Sequence, residues 1–273
     1  MKRYGIFFWG MIFVFVAVAC RFGGGTPANQ PPTVPVEIAA TLAPPPAATA
    51  TPLAPTAIPV SVMKLETRSI QEKSDAPPYK LDIQLPQMEP AGQPWVDHFN
   101  QKIDEEVNKQ IAAFKDALKD IEPIEGLPDS ELTVRYEISY ANNGLVSVLF
   151  EGSQYVTGAA HPFPYMVAVN YDVQADRALD LADLFNPGTN YLDPIAAYCK
   201  EDLKKQGVLE FEEGALPTAE NYQVWTLQAD GLRISFGAYQ VGPYAAGPQK
   251  VIVPYARLKS MAPADGILAR IAP

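Results

Sequence analysis

From Trp95 to Ile121, the apolar residues Trp95, Phe99, Ile103, Val107, Ile111, Phe114, Leu118 and Ile121 recur at steps of three and four. That spacing draws one apolar stripe along a helix of about 27 residues. Pro94 suits the first turn, where a missing N–H costs little, and Pro123 stops the helix. The opposite face carries Asp97, Lys102, Asp104, Glu105, Lys109, Lys115, Asp116 and Asp120, a solvated surface with no metal-ligand pattern. His98 lies near that face and is given no special role. A stripe this long must lie on something apolar, and the pattern on both sides of it switches to period two.

Before the helix, Val62 to Glu72 and Tyr79 to Leu85 alternate apolar and polar residues and predict a strand pair. The stretch Ser74-Asp75-Ala76-Pro77-Pro78 between them reads as a turn longer than two residues, which suggests an edge position. After it, Leu132 to Tyr140 and Leu145 to Tyr155 form a hairpin around Asn142-Asn143-Gly144, because Asn and Gly tolerate positive φ. Tyr165 to Val173 completes a three-strand meander, and Leu179 to Phe185 and Tyr191 to Gln206 read as helical. Tyr222 to Gln228, Leu232 to Phe236 and Val251 to Val253 are strands, with a Gly/Pro/Tyr loop at 238–248 and a last helical turn from Pro254 to Leu258. The order β-β-α-β-β-β-α-β-β-β-α predicts an α+β fold, an antiparallel-rich sheet covered by one long helix and shorter helices.

The chain's beginning supplies an address. Lys2 and Arg3 precede an apolar run from Ile6 to Ala19, and Ala17-Val18-Ala19-Cys20 has the small-residue pattern of a lipobox. Residues 1–19 are thus expected to be a lipoprotein signal peptide, with Cys20 the lipidated residue that ties the protein to the membrane. The alternative is an uncleaved anchor, for which the run is short against the roughly 20 residues of a spanning helix. Residues 21–60 contain ten prolines among Ala, Thr and Gly, with Arg21 and Glu37 the only charges. Such a segment cannot bury a core and predicts a disordered tether reaching on the order of 100 Å. The domain proper is expected at 61–273, with a strand pair and long helix at 61–130 followed by a second portion at 131–273.

Removing the leader takes away Lys2 and Arg3, which leaves 19 basic residues against 31 acidic ones, a net charge of −12. Nucleic acid is excluded as a partner, since phosphate binding needs a basic face. A basic protein is the class that an acidic surface would steer. Cys199 falls in the helical pattern Tyr191 to Gln206 and reads as a small buried hydrophobe. With only His98 and His161 available, a histidine-rich zinc site is excluded and no cofactor is expected.

From Tyr155 onward several motifs occur in order: Tyr155, Gly158-Ala159-Ala160-His161-Pro162, Asn170 with Asp172, and Leu179-Asp180-Leu181-Ala182-Asp183-Leu184-Phe185. Asp230-Gly231-Leu232 and Tyr239-Gln240-Val241-Gly242-Pro243-Tyr244-Ala245-Ala246-Gly247 follow. The set resembles the extracytoplasmic domain of unknown function shared by RsiV-type anti-sigma factors, PdaC-type peptidoglycan deacetylases and bacterial lipoproteins. The resemblance covers about Leu132 to Leu258, and the preceding strand pair and helix look like its usual companion. Ala159 departs from a second glycine in the family's corner, and Asp176 stands where a turn glycine is common. RsiV-type proteins bind lysozyme through this domain, which implies a protein-binding or wall-associated role. No cytoplasmic anti-sigma segment is read before Ile6 and no deacetylase domain after the resembling region.

The candidate ligand-binding residues are His161, Tyr155, Tyr239 and Tyr244, on an extracytoplasmic binding protein of the cell envelope. Its expected ligand is a lysozyme-like protein or a peptidoglycan fragment. Tyrosines offer contact area with a polar tip. Two alternatives stay open. One is a hydrolase using His161 as general base, with Asp183 as a conceivable carboxylate partner, although no nucleophile motif is present and no catalytic residue is assigned. The other is a purely structural module, in which His161 bonds backbone in a tight corner.

Overall fold

The computed structural model describes residues 64–271, and the expected signal peptide, Cys20 and tether lie outside them. Two strands open the fold, β1 (Lys64–Asp75) and β2 (Pro78–Glu89), followed by helix α1 (Pro94–Ala117). Next come β3 (Ser130–Asn142), β4 (Leu145–Tyr155), β5 (Phe163–Asp172) and the short β6 (Arg177–Ala178). These six strands form one sheet in sequence order. Every neighbouring pair is antiparallel except β2 with β3, which run parallel with Leu81 opposite Leu132. A parallel pair needs a crossover, and α1 supplies it.

The stripe on α1 does what its spacing predicts. Val96, Phe99, Ile103, Val107 and Phe114 are buried against Tyr79, Leu81 and Ile83 of β2, Val148 and Phe150 of β4, and Val169 and Tyr171 of β5. Phe114 meets Tyr79 edge-on at 6.1 Å and Phe99 meets Tyr171 at 5.6 Å, a geometry aromatic quadrupoles favour. The helix stops earlier than the stripe, because the Leu118 N–H bonds to the Lys115 carbonyl and closes the last turn tightly. Leu118 is still buried, so the apolar spacing outlasts the helix.

The turn between β1 and β2 also differs from expectation. It is only Ala76-Pro77, with Asp75 opposite Pro78 and a cis peptide between the two turn residues. β1 does sit at the edge of the sheet. The β3–β4 turn follows the sequence rule, with Asn143 at φ 50° and Gly144 at φ 71°. Asp176 has φ 49°, which explains a glycine preference there and its tolerance of Asp.

The larger difference is that a second sheet exists. β7 (Trp225–Leu227), β8 (Gly231–Phe236) and β9 (Gln249–Pro254) form an antiparallel sheet of their own. Helix α2 (Leu192–Gln206), the turn Leu181–Leu184 and the terminal helix α3 (Ile267–Ile271) pack with it around a second core that includes Cys199, Leu203, Leu232, Ile234 and Phe236. Leu179 to Phe185, read as helical, contains a 3-10 turn at Leu181–Leu184, and the strand expected from Tyr222 begins at Trp225. The protein is a sheet-dominated α+β fold.

Buried polar side chains join the sheets. The Ser147 hydroxyl donates to Asn170 Oδ1 at 2.6 Å and accepts from the Leu227 N–H at 3.1 Å, while Asn170 Nδ2 donates to the Trp225 carbonyl at 2.8 Å. Arg233 of β8, with a side chain 4% exposed, donates to Thr226 Oγ1 at 3.0 Å and to both carboxylate oxygens of Glu137 on β3. Asp172 receives Arg270 of α3 at 2.6 and 3.0 Å, and its Oδ1 also accepts the N–H groups of Gln174 and Ala175. Arg270 further donates to the carbonyls of Asn143 and Gly144, which clamps the end of the chain onto the β3–β4 turn. Asn170 and Asp172 of the family-like motif thus have structural work.

Candidate functional site

Two of the motif segments meet on the surface although some 80 residues separate them in sequence. The first is the corner after β4. Gly158 takes φ 91°, a conformation side chains rarely adopt, and the Ala159 N–H bonds to the Val156 carbonyl at 2.9 Å. The second is the loop between β8 and β9. The Gln240 side chain anchors it by accepting the Gly237 N–H and donating to the carbonyls of Gly214 and Asn221. Gly214 is required there, since a Cβ on it would lie 1.7 Å from the Gln240 carbonyl oxygen.

The segments join through one carbonyl. Pro162 O accepts the Tyr244 hydroxyl at 2.8 Å and lies 3.0 Å from His161 Nδ1. A carbonyl only accepts, so Nδ1 carries the proton and Nε2 is the basic nitrogen of the neutral ring. The two rings stack with centroids 4.0 Å apart and planes 30° apart. Tyr239 lies beside Tyr244 at 5.5 Å and is 49% exposed. Its φ of 66° is left-handed, an expensive conformation for a bulky side chain, of order 1–2 kcal/mol. Phe163, two residues past His161, is 43% exposed.

Three of the four sequence candidates, His161, Tyr239 and Tyr244, therefore share one surface. Tyr155 is half-buried at the end of β4, and no aromatic pair links it to them among the described residues. Asp183, considered as a partner for His161, is held elsewhere by Arg177 at 2.8 and 3.0 Å and by the Asp180 N–H. The Arg177 bond holds the Asp183 carboxyl below its ordinary range against the opposing effect of burial. His161 bonds to no carboxylate or hydroxyl among the described residues.

His98, given no special role from the sequence, makes a tertiary contact with an acid. Its Nδ1 is 2.7 Å from Asp176, whose other oxygen accepts the Tyr171 hydroxyl at 2.6 Å. Burial pushes the Asp176 carboxyl up, but the bonds from Tyr171 and His98 outweigh it and the net shift is downward. Because 78 residues separate His98 from Asp176, no local pattern reveals the pair. Cys199 is fully buried, and burial pushes its thiol up to about 12. No group of three or more His, Cys, Asp or Glu is arranged for a metal among the described residues.

Comparison with known proteins agrees with the motifs. Residues 72–164 match the family model "Deacetylase PdaC", and residues 182–256 match DUF3298, a family of proteins of unknown function. The chain carries both segments, and the His161–Tyr244 stack bridges them. It is 25% identical over 171 residues to the peptidoglycan-N-acetylmuramic acid deacetylase PdaC of Bacillus subtilis. That alignment covers 59% of this chain and 36% of the deacetylase, so the chain spans about a third of that relative's length. It is also 26% identical over 193 residues to an esterase of Mycobacterium tuberculosis, covering 69% of this chain and 81% of the esterase. A DUF3298 family structure from Bacteroides fragilis superposes with a TM-score of 0.57 at 18% identity, covering 77% of this chain and 98% of that one. One from Pseudomonas aeruginosa gives 0.52 at 17%, covering 73% and 95%. At those identities the likeness carries the fold.

Proposed function

We propose that the protein is a binding domain of the bacterial cell envelope, lipid-anchored through Cys20, whose aromatic surface of His161, Tyr244 and Tyr239 takes the glycan of peptidoglycan. The observation that carries this reading is the stack itself. Two distant loops bring three aromatic rings onto one exposed surface, and one of them is a tyrosine in a left-handed backbone conformation that a glycine would adopt without strain. Sugar rings present apolar faces and hydroxyl edges, which a rigid aromatic surface with polar tips complements. One relative's name supports the ligand class, since PdaC is a peptidoglycan-N-acetylmuramic acid deacetylase. The tether expected at 21–60 would let such a domain work at a distance from the lipid.

The test is co-sedimentation of the full chain with purified peptidoglycan, in parallel with a lysozyme pull-down at low and high salt. Saturable sedimentation that falls at least tenfold in Tyr239→Ala supports the reading. Capture of lysozyme alone, weakening with salt, would move the assignment to a charge-steered protein ligand. The hydrolase alternative has the esterase relative in its favour. It requires that His161→Ala abolish ester hydrolysis while leaving the melting temperature unchanged.

A further inference from the structure

We propose that a second site, a cleft of about 300 Å³ between the turn Leu181–Leu184, the start of α2 and residues 219–225, binds small aromatic or aliphatic amines. It is independent of the aromatic surface, since none of His161, Tyr239 and Tyr244 lines it. Its volume lies at the small end of ligand sites, enough for a compact ring system.

The walls are chiefly Leu181, Leu192, Tyr191, Tyr222 and Trp225, and each ring among them is fixed before any ligand arrives. Tyr191 stacks flat on Phe185, with centroids 4.5 Å and planes 9° apart. The Tyr222 hydroxyl donates to the Ala215 carbonyl at 3.0 Å, and its ring meets Phe236 edge-on. Trp225 is only 4% exposed, so its ring is packed in place, and its backbone carbonyl accepts from Asn170 of the large sheet. Fixed walls lose little freedom on binding, which is how a small apolar ligand gains affinity from limited contact.

Charge then selects the ligand. Among the described residues Asp180 is the one charged residue lining the cleft, and it is exposed. Its neighbour Asp183 is neutralised by Arg177, which spends two N–H donors on it, whereas Asp180 has no ion-pair partner among the described residues. Ala182, Ala219 and Gln223 complete the lining without adding charge. A cation beside Asp180 and against the aromatic walls gains from both, while an anion of the same shape keeps the apolar contact but is repelled by Asp180.

Three indoles of nearly equal size test this by calorimetry on the full chain: tryptamine, neutral 3-methylindole and anionic indole-3-acetate. Tryptamine should bind with a dissociation constant on the order of 0.1–1 mM, as a dozen heavy atoms allow. Indole-3-acetate should bind at least tenfold more weakly. Asp180→Asn should weaken tryptamine severalfold and leave 3-methylindole unchanged. Ala219→Phe, at an exposed position on the rim, should remove binding of all three without changing the far-ultraviolet circular dichroism. Equal affinity for amine and acid, an unaltered tryptamine affinity in either variant, or no saturable binding of tryptamine overturns the proposal.

Discussion

Replacing Arg270 with Met tests whether the C-terminal clamp holds the fold together. The Asp172 side chain is 6% exposed and accepts two Arg270 donors, and Arg270 is itself 22% exposed. Removing one partner of a buried pair costs about 3–5 kcal/mol, because the other charge stays buried and unpaired. Two backbone N–H groups would remain on Asp172 and Arg270 is not wholly dry, so the low end, about 3 kcal/mol, is expected. For a unit of this size that lowers the melting temperature by roughly 6–12 °C. In urea the midpoint should fall by about 1 M or more with the slope unchanged. Asp172→Asn combined with Arg270→Met should be less destabilised than the sum of the single variants by at least about 1 kcal/mol, since the pair is coupled. A loss below about 1 kcal/mol for Arg270→Met would refute the reasoning and place this contact with surface ion pairs.

Three further outcomes follow from the packing. The Tyr165 hydroxyl is buried without a partner among the described residues, and burial together with the Glu106 charge pushes it up to about 12. Tyr165→Phe should therefore stabilise the fold by about 1 kcal/mol in a urea titration, and a comparable loss would mean that the hydroxyl is satisfied. Gly214→Ala should cost about 2 kcal/mol in thermal melting and weaken peptidoglycan sedimentation, because the new Cβ displaces Gln240 and the loop bearing Tyr239 and Tyr244. The Asp176 carboxyl is lowered in the fold from its ordinary 3.8, so its contribution is present above that value and is lost as pH falls through the folded-state value. Tyr171→Phe should flatten the stability profile of the fold in that acid range, and an unchanged slope would show that the Tyr171 bond is not what lowers Asp176.

Sequence legibility followed the range of the interactions. The α1 stripe and the Asn143-Gly144 turn were readable because helix period and positive-φ chemistry act within a few residues. The ordered motifs also pointed to one surface, since His161, Tyr239 and Tyr244 each lie in Gly/Pro-rich corners whose conformations show in the sequence. The second sheet was not separable from the first, because period-two alternation states which face is buried and not what covers it. The contacts that fix it, Asn170 to the Trp225 carbonyl and Arg233 to Glu137, span 55 and 96 residues. Arg233 within the apolar strand Leu232 to Phe236 was the available signal, since a charge in such a run implies a buried partner. Tyr155 entered the candidates as the first residue of the ordered motifs; it ends β4 opposite Glu131, and among the described residues no aromatic pair joins it to the cluster.

The central claim is that the stacked aromatic surface binds glycan, and titrating a soluble, uncharged chitin-type oligosaccharide into the full chain, followed by tyrosine and histidine ring resonances, tests it most directly. Saturable shifts confined to His161, Tyr239 and Tyr244, unaffected by salt and absent in Tyr239→Ala, are the predicted result. Shifts elsewhere on the domain, or none at saturating sugar, would contradict it and leave the His161–Tyr244 stack as a latch between two loops.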